Sequence, residues 1–219
     1  MIYFREMNRE PFTNDEYYHI YNRGVDKRKI FLSRYDVARF LKSMECFNSI
    51  EPIGSLYLLA FEEKAKTPSE KLVDIIAFCL NGNHYHLILK QRVNRGIPEF
   101  MKRVNGGYTM YFNQRNKRSG SLFQGTFKSR HIHDNDYLLH LSAYVNLNDR
   151  VHQLRGETSQ LVKSSWDEYT ENISNLCDTK IILSQFKSKK KYEKFALEIL
   201  PQMLKRKKDE KEVANLLME

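Results

Sequence analysis

The sequence predicts a ferredoxin-like α+β domain: an antiparallel sheet of β-α-β-β-α-β order with helices on one face, followed by a C-terminal helical extension. Three observations predict it. Short runs with strand alternation are interleaved with longer stripes at helical spacing. Two of the strand runs, Val73 to Leu80 and His84 to Lys90, are separated by an Asn81-Gly82 hairpin signal. Beyond Arg150 the composition shifts towards charge, so the domain is expected over 1–152 and the lysine-rich extension over 153–219.

Taken in order, Tyr17 to Asn22 reads as the first strand and ends at Arg23-Gly24. Tyr35 to Ser49 is an amphipathic helix with Val37, Phe40, Leu41 and Met44 inward. Leu56 to Phe61 reads as a strand and Glu62 to Leu72 as a solvated loop. After the hairpin, Asn94 to Asn116 is a long helix, and Leu122 to His131 is extended. Asn135 to Asn148 is a helix that Asp134 or Asp136 can cap, with Leu138, Leu141 and Val145 at core spacing. In the extension, Lys187 to Lys194 and Lys205 to Lys211 are lysine-rich, set among helical patterns that include Phe195, Ile199 and Leu200. There is no internal repeat.

The 219 residues carry a formal net charge of +9, with thirteen Tyr and thirteen Phe. A sizeable core can be buried, and the charge points to a polyanionic partner, nucleic acid before an anionic membrane surface. Cys46, Cys79 and Cys177 are widely spaced with no CxxC pair, so neither a zinc ribbon nor a disulfide framework is indicated, which points to a reducing compartment. The first residues turn polar at once, which is unlike a signal peptide. No apolar run reaches the length of a membrane span.

Chemistry concentrates in two places. Side chains alternate along a strand, so His84 and His86 point to one face, and Tyr85, Leu87 and Leu89 form the packed side. Two adjacent imidazoles suit a divalent transition metal. On spacing alone, a half-buried strand with two hydrogen-bonded histidines is the other reading. On the later helix, Tyr137, His140, Tyr144 and Asn148 recur at intervals of three and four and share a face. A phenol and an amide one turn apart, set against two histidines, can build a metal-assisted nucleophile; a packed tyrosine is the alternative. His131-Ile132-His133 is a rival metal pair. Met101-Lys102-Arg103, Arg115 to Arg118 and Lys128 to Arg130 interleave cations with Tyr108, Tyr111, Phe112, Phe123 and Phe127, a mix that suits single-stranded nucleic acid.

These residues resemble the HUH single-tyrosine transposases, which act on single-stranded DNA, and most closely their REP-associated branch. The resemblance runs through Tyr18 to Gly24, Lys29 to Phe31, Cys79-Leu80, Asn83 to Leu87, Met101 to Arg103, Tyr108, Tyr111 to Asn113, Ser119 to Ser129, Asp136 to Leu139, Tyr144 to Asn148, and Ser164 to Trp166 with Tyr169. The chain departs from the family at Gly82 and Asp149, where the family carries prolines. Both positions flank the chemistry.

The resemblance implies a Mg or Mn site made by His84, His86 and Asn148, with Tyr144 as the nucleophile that becomes linked to a 5′ phosphate and leaves a 3′ hydroxyl. His140, one turn before Tyr144, is not expected to be a ligand. Together with the basic and aromatic stretches, it makes Arg23, Lys102, Arg103, Arg115, Lys117, Arg118, Gln124, Lys128 and Arg130 the expected contacts to single-stranded or hairpin DNA. It implies a cytoplasmic, nucleoid-associated protein, a monomer more than a homodimer. Two other classes remain open at this stage. One is a domesticated relative that binds hairpins without cutting. The other is a metal-dependent RNA nuclease that does not need Tyr144.

Overall fold

In the computed structural model, residues 11–51, 54, 56, 70–153, 161–171, 173 and 176–216 are described. The expected strand over Leu56 to Phe61 and loop over Glu62 to Leu72 lie largely outside them; Leu56 and Leu72 are buried in the core. The sheet is built from β1 (Tyr17–Arg23), β2 (Val73–Asn81), β3 (His84–Gln91), β4 (Lys128–Ile132) and β5 (Lys163–Ser164), in the spatial order β4-β1-β3-β2-β5. All pairings are antiparallel. The first four strands have the ferredoxin-like order, and β5 adds a short edge beside β2.

Helix α1 (Arg34–Cys46) begins in a capping box. The Ser33 hydroxyl accepts from the Asp36 N–H, and the Asp36 carboxylate accepts from the Leu32 and Ser33 N–H groups. Helix α2 (Gly96–Arg115) packs beside it. Both lie on the sheet face that carries Tyr85, Leu87 and Leu89, all fully buried with Phe40, Met44, Phe100 and Tyr108. The packed side of β3 is therefore the one that the alternation predicts.

The opposite sheet face is covered as well. Helix α3 (Asn135–Asn146) starts at Asp134, whose side chain accepts from the Tyr137 N–H at 2.6 Å. It ends one residue before Leu147 rather than at Asn148, and a short helix α4 (Asn148–Val151) follows. The extension contributes β5, the short helices α5 (Trp166–Thr170) and α6 (Lys180–Leu183), and the long α7 (Lys189–Leu216). Tyr169, Ile182, Tyr192, Ala196 and Ile199 share a second core with Ile88, Leu141 and Val145. The two helices expected on one face are there, and the tyrosine helix and extension add a third layer across the sheet.

Two local features aim the site. The β2–β3 loop is Gly82-Asn83, one residue later than the hairpin signal suggests, because Asn81 still pairs with His84. Gly82 O accepts from the N–H groups of Ile30 and Phe31, so the loop is docked against the segment after β1. Gly24 closes β1 with its N–H on Asn83 O; a Cβ there would lie 2.3 Å from Arg28 O, so only glycine allows this close approach.

The second feature is a β-bulge. The register shifts between Ile75 and Ala77, so Ile76 is the extra residue. Val73 and Ile75 face the first core, while Ile76, Ala77 and Cys79 face the second. A one-residue shift exchanges faces for everything beyond it. The bulge thus carries Asn81 onto the face that bears His84 and His86.

Candidate active site

The pairing register assembles the site. Directly opposed residues in antiparallel strands share a face. Tyr21 opposes His86, Arg23 opposes His84, Cys79 opposes His86 and Asn81 opposes His84. On the outer side, Lys128 opposes Tyr21 and Arg130 opposes His19. One sheet face therefore gathers His19, Tyr21, Arg23, Asn81, His84, His86, Lys128 and Arg130. Helix α3 lies over it and brings Tyr144, whose ring stands edge-on to His86 with centroids 5.8 Å apart.

Asn148, fully buried at the start of α4, turns its amide oxygen to within 3.4 Å of His84 Nε2. That oxygen also accepts from Asn81 Nδ2 at 2.6 Å, and the same Nδ2 lies 2.9 Å from His84 Nε2. Asn83 Oδ1 is 2.7 Å from His84 Nδ1. An amide oxygen only accepts, so the His84 proton sits on Nδ1 and the Nε2 lone pair accepts from Asn81 Nδ2, with the Asn148 oxygen beside it. His86 Nδ1 pairs with His19 Nε2 at 2.9 Å. His152, just beyond α4, lies against His84 with its ring tilted by 48° and centroids 4.9 Å apart.

Burial keeps these imidazoles neutral. It pulls His19, His84 and His152 each down to about 4 and His86 well below the ordinary histidine range. Asn148 opposes the shift at His84, while the Lys207 and Arg23 cations add to it in smaller measure. Neutral imidazoles at physiological pH are the form that ligates a metal.

The donor set fits a hard divalent cation. Ligand atoms about 2.1 Å from Mg²⁺ in octahedral array lie about 3 Å apart, close to the 3.4 Å between His84 Nε2 and Asn148 Oδ1. Asn148 Nδ2 is buried with no hydrogen-bond partner among the described residues, so the oxygen is the engaged end of the amide. Among the described residues no three His, Cys, Asp or Glu side chains are grouped to hold an ion. The set therefore rests on two imidazoles and an amide oxygen.

Other candidates are placed elsewhere. His131 opposes Tyr18, on the far face of the sheet, and its Nε2 lies 3.0 Å from Glu16 Oε2. His133 lies past the end of β4 and is exposed, beside Asp134. The rival pair is thus split between a strand and a turn. His140 packs edge-on against Phe195 of α7, not towards the sheet histidines. Burial pushes the thiols of Cys46, Cys79 and Cys177 up, which makes them poor nucleophiles.

The basic residues divide. Arg23, Gln124, Lys128 and Arg130 lie around the histidine face or its rim; Arg23 Nε donates to Gln124 Oε1 at 2.5 Å, and Arg130 stacks over Tyr137. Lys102, Arg103 and Arg115 belong to α2, on the opposite side of the sheet. Arg103 is committed to the fold: it bonds Glu99 and the carbonyls of Ser49 and Glu51. Arg118 holds Asn113 and the Ser121 carbonyl, which shapes the loop leading to Gln124. Arg115 stacks over Tyr35, and Lys117 is exposed in the turn after α2. Sequence reasoning missed His19, Asn81 and His152 as members of the cluster. For His19 the signal was present, since it alternates with Tyr17 and Tyr21 on β1.

No curated protein matches the chain. A solved structure of a REP-associated tyrosine transposase bound to a REP hairpin aligns over 79% of this chain and 94% of its own, at 11% identity and a TM-score of 0.48. A likeness at that level decides neither fold nor function. The family model "Transposase IS200 like" matches residues 60–148, a segment that holds His84, His86 and Tyr144 and closes on Asn148. Over residues 60–148 the chain is similar to the IS200-like transposases.

Proposed function

We propose that this protein is a metal-dependent single-stranded DNA endonuclease and strand transferase that works through a 5′-phosphotyrosine intermediate at hairpin-associated sites. Tyr144 is the nucleophile, and His84, His86 and Asn148 hold Mg²⁺ or Mn²⁺. The observation that carries the reading is the convergence of the Tyr144 ring on His86 with the Asn148 oxygen on His84.

A bound divalent cation supplies polarisation of the scissile phosphate and neutralises charge developing on it. The chain's residues do the rest. His19 accepts the His86 Nδ1 proton, as Asn83 accepts that of His84, so both rings present Nε2. Arg23, Lys128 and Arg130 neutralise phosphates along the strand. The Tyr144 oxygen bonds to phosphorus, the bond to the 3′ oxygen breaks, the phenol proton passes to solvent and the leaving 3′ oxygen takes a proton from solvent to become a hydroxyl. The covalent link conserves the bond energy for a second joining step.

The test is a covalent-adduct assay with single-stranded hairpin DNA and Mn²⁺, resolved on a denaturing gel. A shifted protein band that requires Tyr144 supports the proposal. Binding without a shift indicates a hairpin-binding protein that has lost cutting. RNA cleavage that survives Tyr144→Phe indicates a nuclease of another kind.

A further inference from the structure

Asn81 ends β2 opposite His84 and is 1% exposed. The Ile76 bulge places it on the histidine face. Its Nδ2 lies 2.6 Å from Asn148 Oδ1 and 2.9 Å from His84 Nε2. Those are the two lone pairs that would face a cation held by His84 and Asn148. The two amide hydrogens satisfy both at once, so a cation shared by His84 and Asn148 competes for the same acceptors. With its donors in place, the amide opposes the ion.

The other end of the amide is lightly held. Among the described residues Asn81 Oδ1 accepts only a thiol contact from Cys79 Sγ, at 3.6 Å, and a thiol is a weak donor. A half-turn of the terminal amide exchanges nitrogen for oxygen without moving the backbone. It converts the group that blocks the site into a hard oxygen donor facing the same two atoms. The turn gives up one weak sulfur contact and the two N–H bonds to Asn148 and His84, whose acceptors the cation then engages.

We propose that Asn81 is a further ligand of the divalent cation, its amide turning over so that Oδ1 takes the place of Nδ2. The inference rests on the reading of His84 and Asn148 as metal ligands. It makes the site a set of two imidazoles and two amide oxygens, with Asn81 holding the empty site together and then joining the filled one.

The experiment measures Mn²⁺ affinity of the full-length protein without DNA, by titration calorimetry or by the electron paramagnetic resonance signal of free Mn²⁺. The proteins are wild type, Asn81→Ala, Asn81→Asp and His84→Ala, each checked for folding by its thermal melt. Asn81→Ala is expected to bind about tenfold more weakly or worse. Asn81→Asp keeps an oxygen and loses the donor, so it is expected to bind at least as tightly as wild type. Affinity in Asn81→Ala equal to or above wild type overturns the proposal, because the amide then acts only as a plug. Should Asn81→Ala not fold, Asn81→Asp decides: affinity below wild type overturns the proposal. If His84→Ala loses Mn²⁺ and Asn81→Ala keeps it, only the role of Asn81 fails. If wild type binds no Mn²⁺, or His84→Ala binds as wild type does, the metal reading fails and the Asn81 proposal falls with it.

Discussion

The Tyr144 ring stands edge-on to the His86 imidazole, at an interplanar angle of 81°, while Tyr21 lies flat against the same imidazole at 25°. Two phenols therefore flank one candidate ligand. Only Tyr144 is carried on the helix that leads directly to Asn148. Tyr21→Phe is expected to keep DNA cleavage within a few-fold of wild type, whereas Tyr144→Phe abolishes it and leaves binding intact. Losing either hydroxyl changes stability by about 1 kcal/mol, so unfolding curves run alongside separate chemistry from folding. Cleavage lost in Tyr21→Phe and retained in Tyr144→Phe reverses the assignment.

Metal dependence is expected to follow the histidine face of the sheet. His84→Ala or His86→Ala removes Mn²⁺-dependent cleavage, and Asn148→Ala weakens it. Alanine at both His131 and His133 leaves it unchanged, since one of those rings sits on the far face beside Glu16 and the other in the turn beyond. Cleavage at several Mn²⁺ concentrations makes the comparison. Loss confined to the His131 and His133 variant moves the metal to the rival pair.

Affinity for hairpin DNA is expected to fall steeply with salt, because cations that meet phosphates release counterions. Alanine at Lys128 or Arg130 lowers the salt slope, each by roughly one. Arg103→Ala changes the melting temperature more than the affinity, because its guanidinium ties α2 to the carbonyls of Ser49 and Glu51. Binding titrations at four salt concentrations test both. An Arg103→Ala protein with native stability and a lowered slope contradicts the division.

The extension is expected to be part of the folding unit. The Tyr192 hydroxyl, fully buried, takes the Asn146 amide at 2.9 Å and meets the Ser142 hydroxyl at 3.2 Å. Tyr192→Phe leaves that amide unpaired and costs about 1–3 kcal/mol, read from urea unfolding. Truncation before Gly156 strips Tyr169, Ile182 and Tyr192 from the second core and yields insoluble protein. A soluble, cooperatively folded truncation contradicts this.

Acid is expected to destabilise the metal-free protein. His19, His84 and His152 titrate near 6.5 when unfolded and at about 4 when folded. Below 6.5 the unfolded chain takes up protons that the folded chain refuses. Stability is therefore full above that pH and is lost as pH falls towards 4. Thermal melts between pH 7.5 and 4.5 test it, and a flat profile contradicts neutral buried imidazoles.

Much of the site was legible because it follows simple periods. The two-residue spacing puts His84 and His86 on one face, and the helical run carries Tyr144 over it, whereas Asn148 reaches the site from α4, after that helix has ended at Asn146. What escaped depends on long-range register. The Ile76 bulge turns Asn81 to the histidines, and no local pattern marks a bulge among Ile75, Ile76 and Ala77. His19 joins only because β1 pairs with β3. Charge was the least informative: Arg23 and Arg103 look alike in sequence, yet one borders the histidines and the other anchors a loop. The hairpin signal at Asn81-Gly82 was one residue early, since cross-strand pairing continues through Asn81.

The most direct measurement is the identity of the amino acid joined to DNA. Wild-type protein is incubated with hairpin-bearing single-stranded DNA and Mn²⁺, the DNA is trimmed with nuclease, and peptides are mapped by mass spectrometry. A nucleotide mass on Tyr144, with a free 3′ hydroxyl on the released fragment, is the predicted result. Cleavage that leaves every tyrosine unmodified, or a nucleotide on Tyr21, contradicts the account.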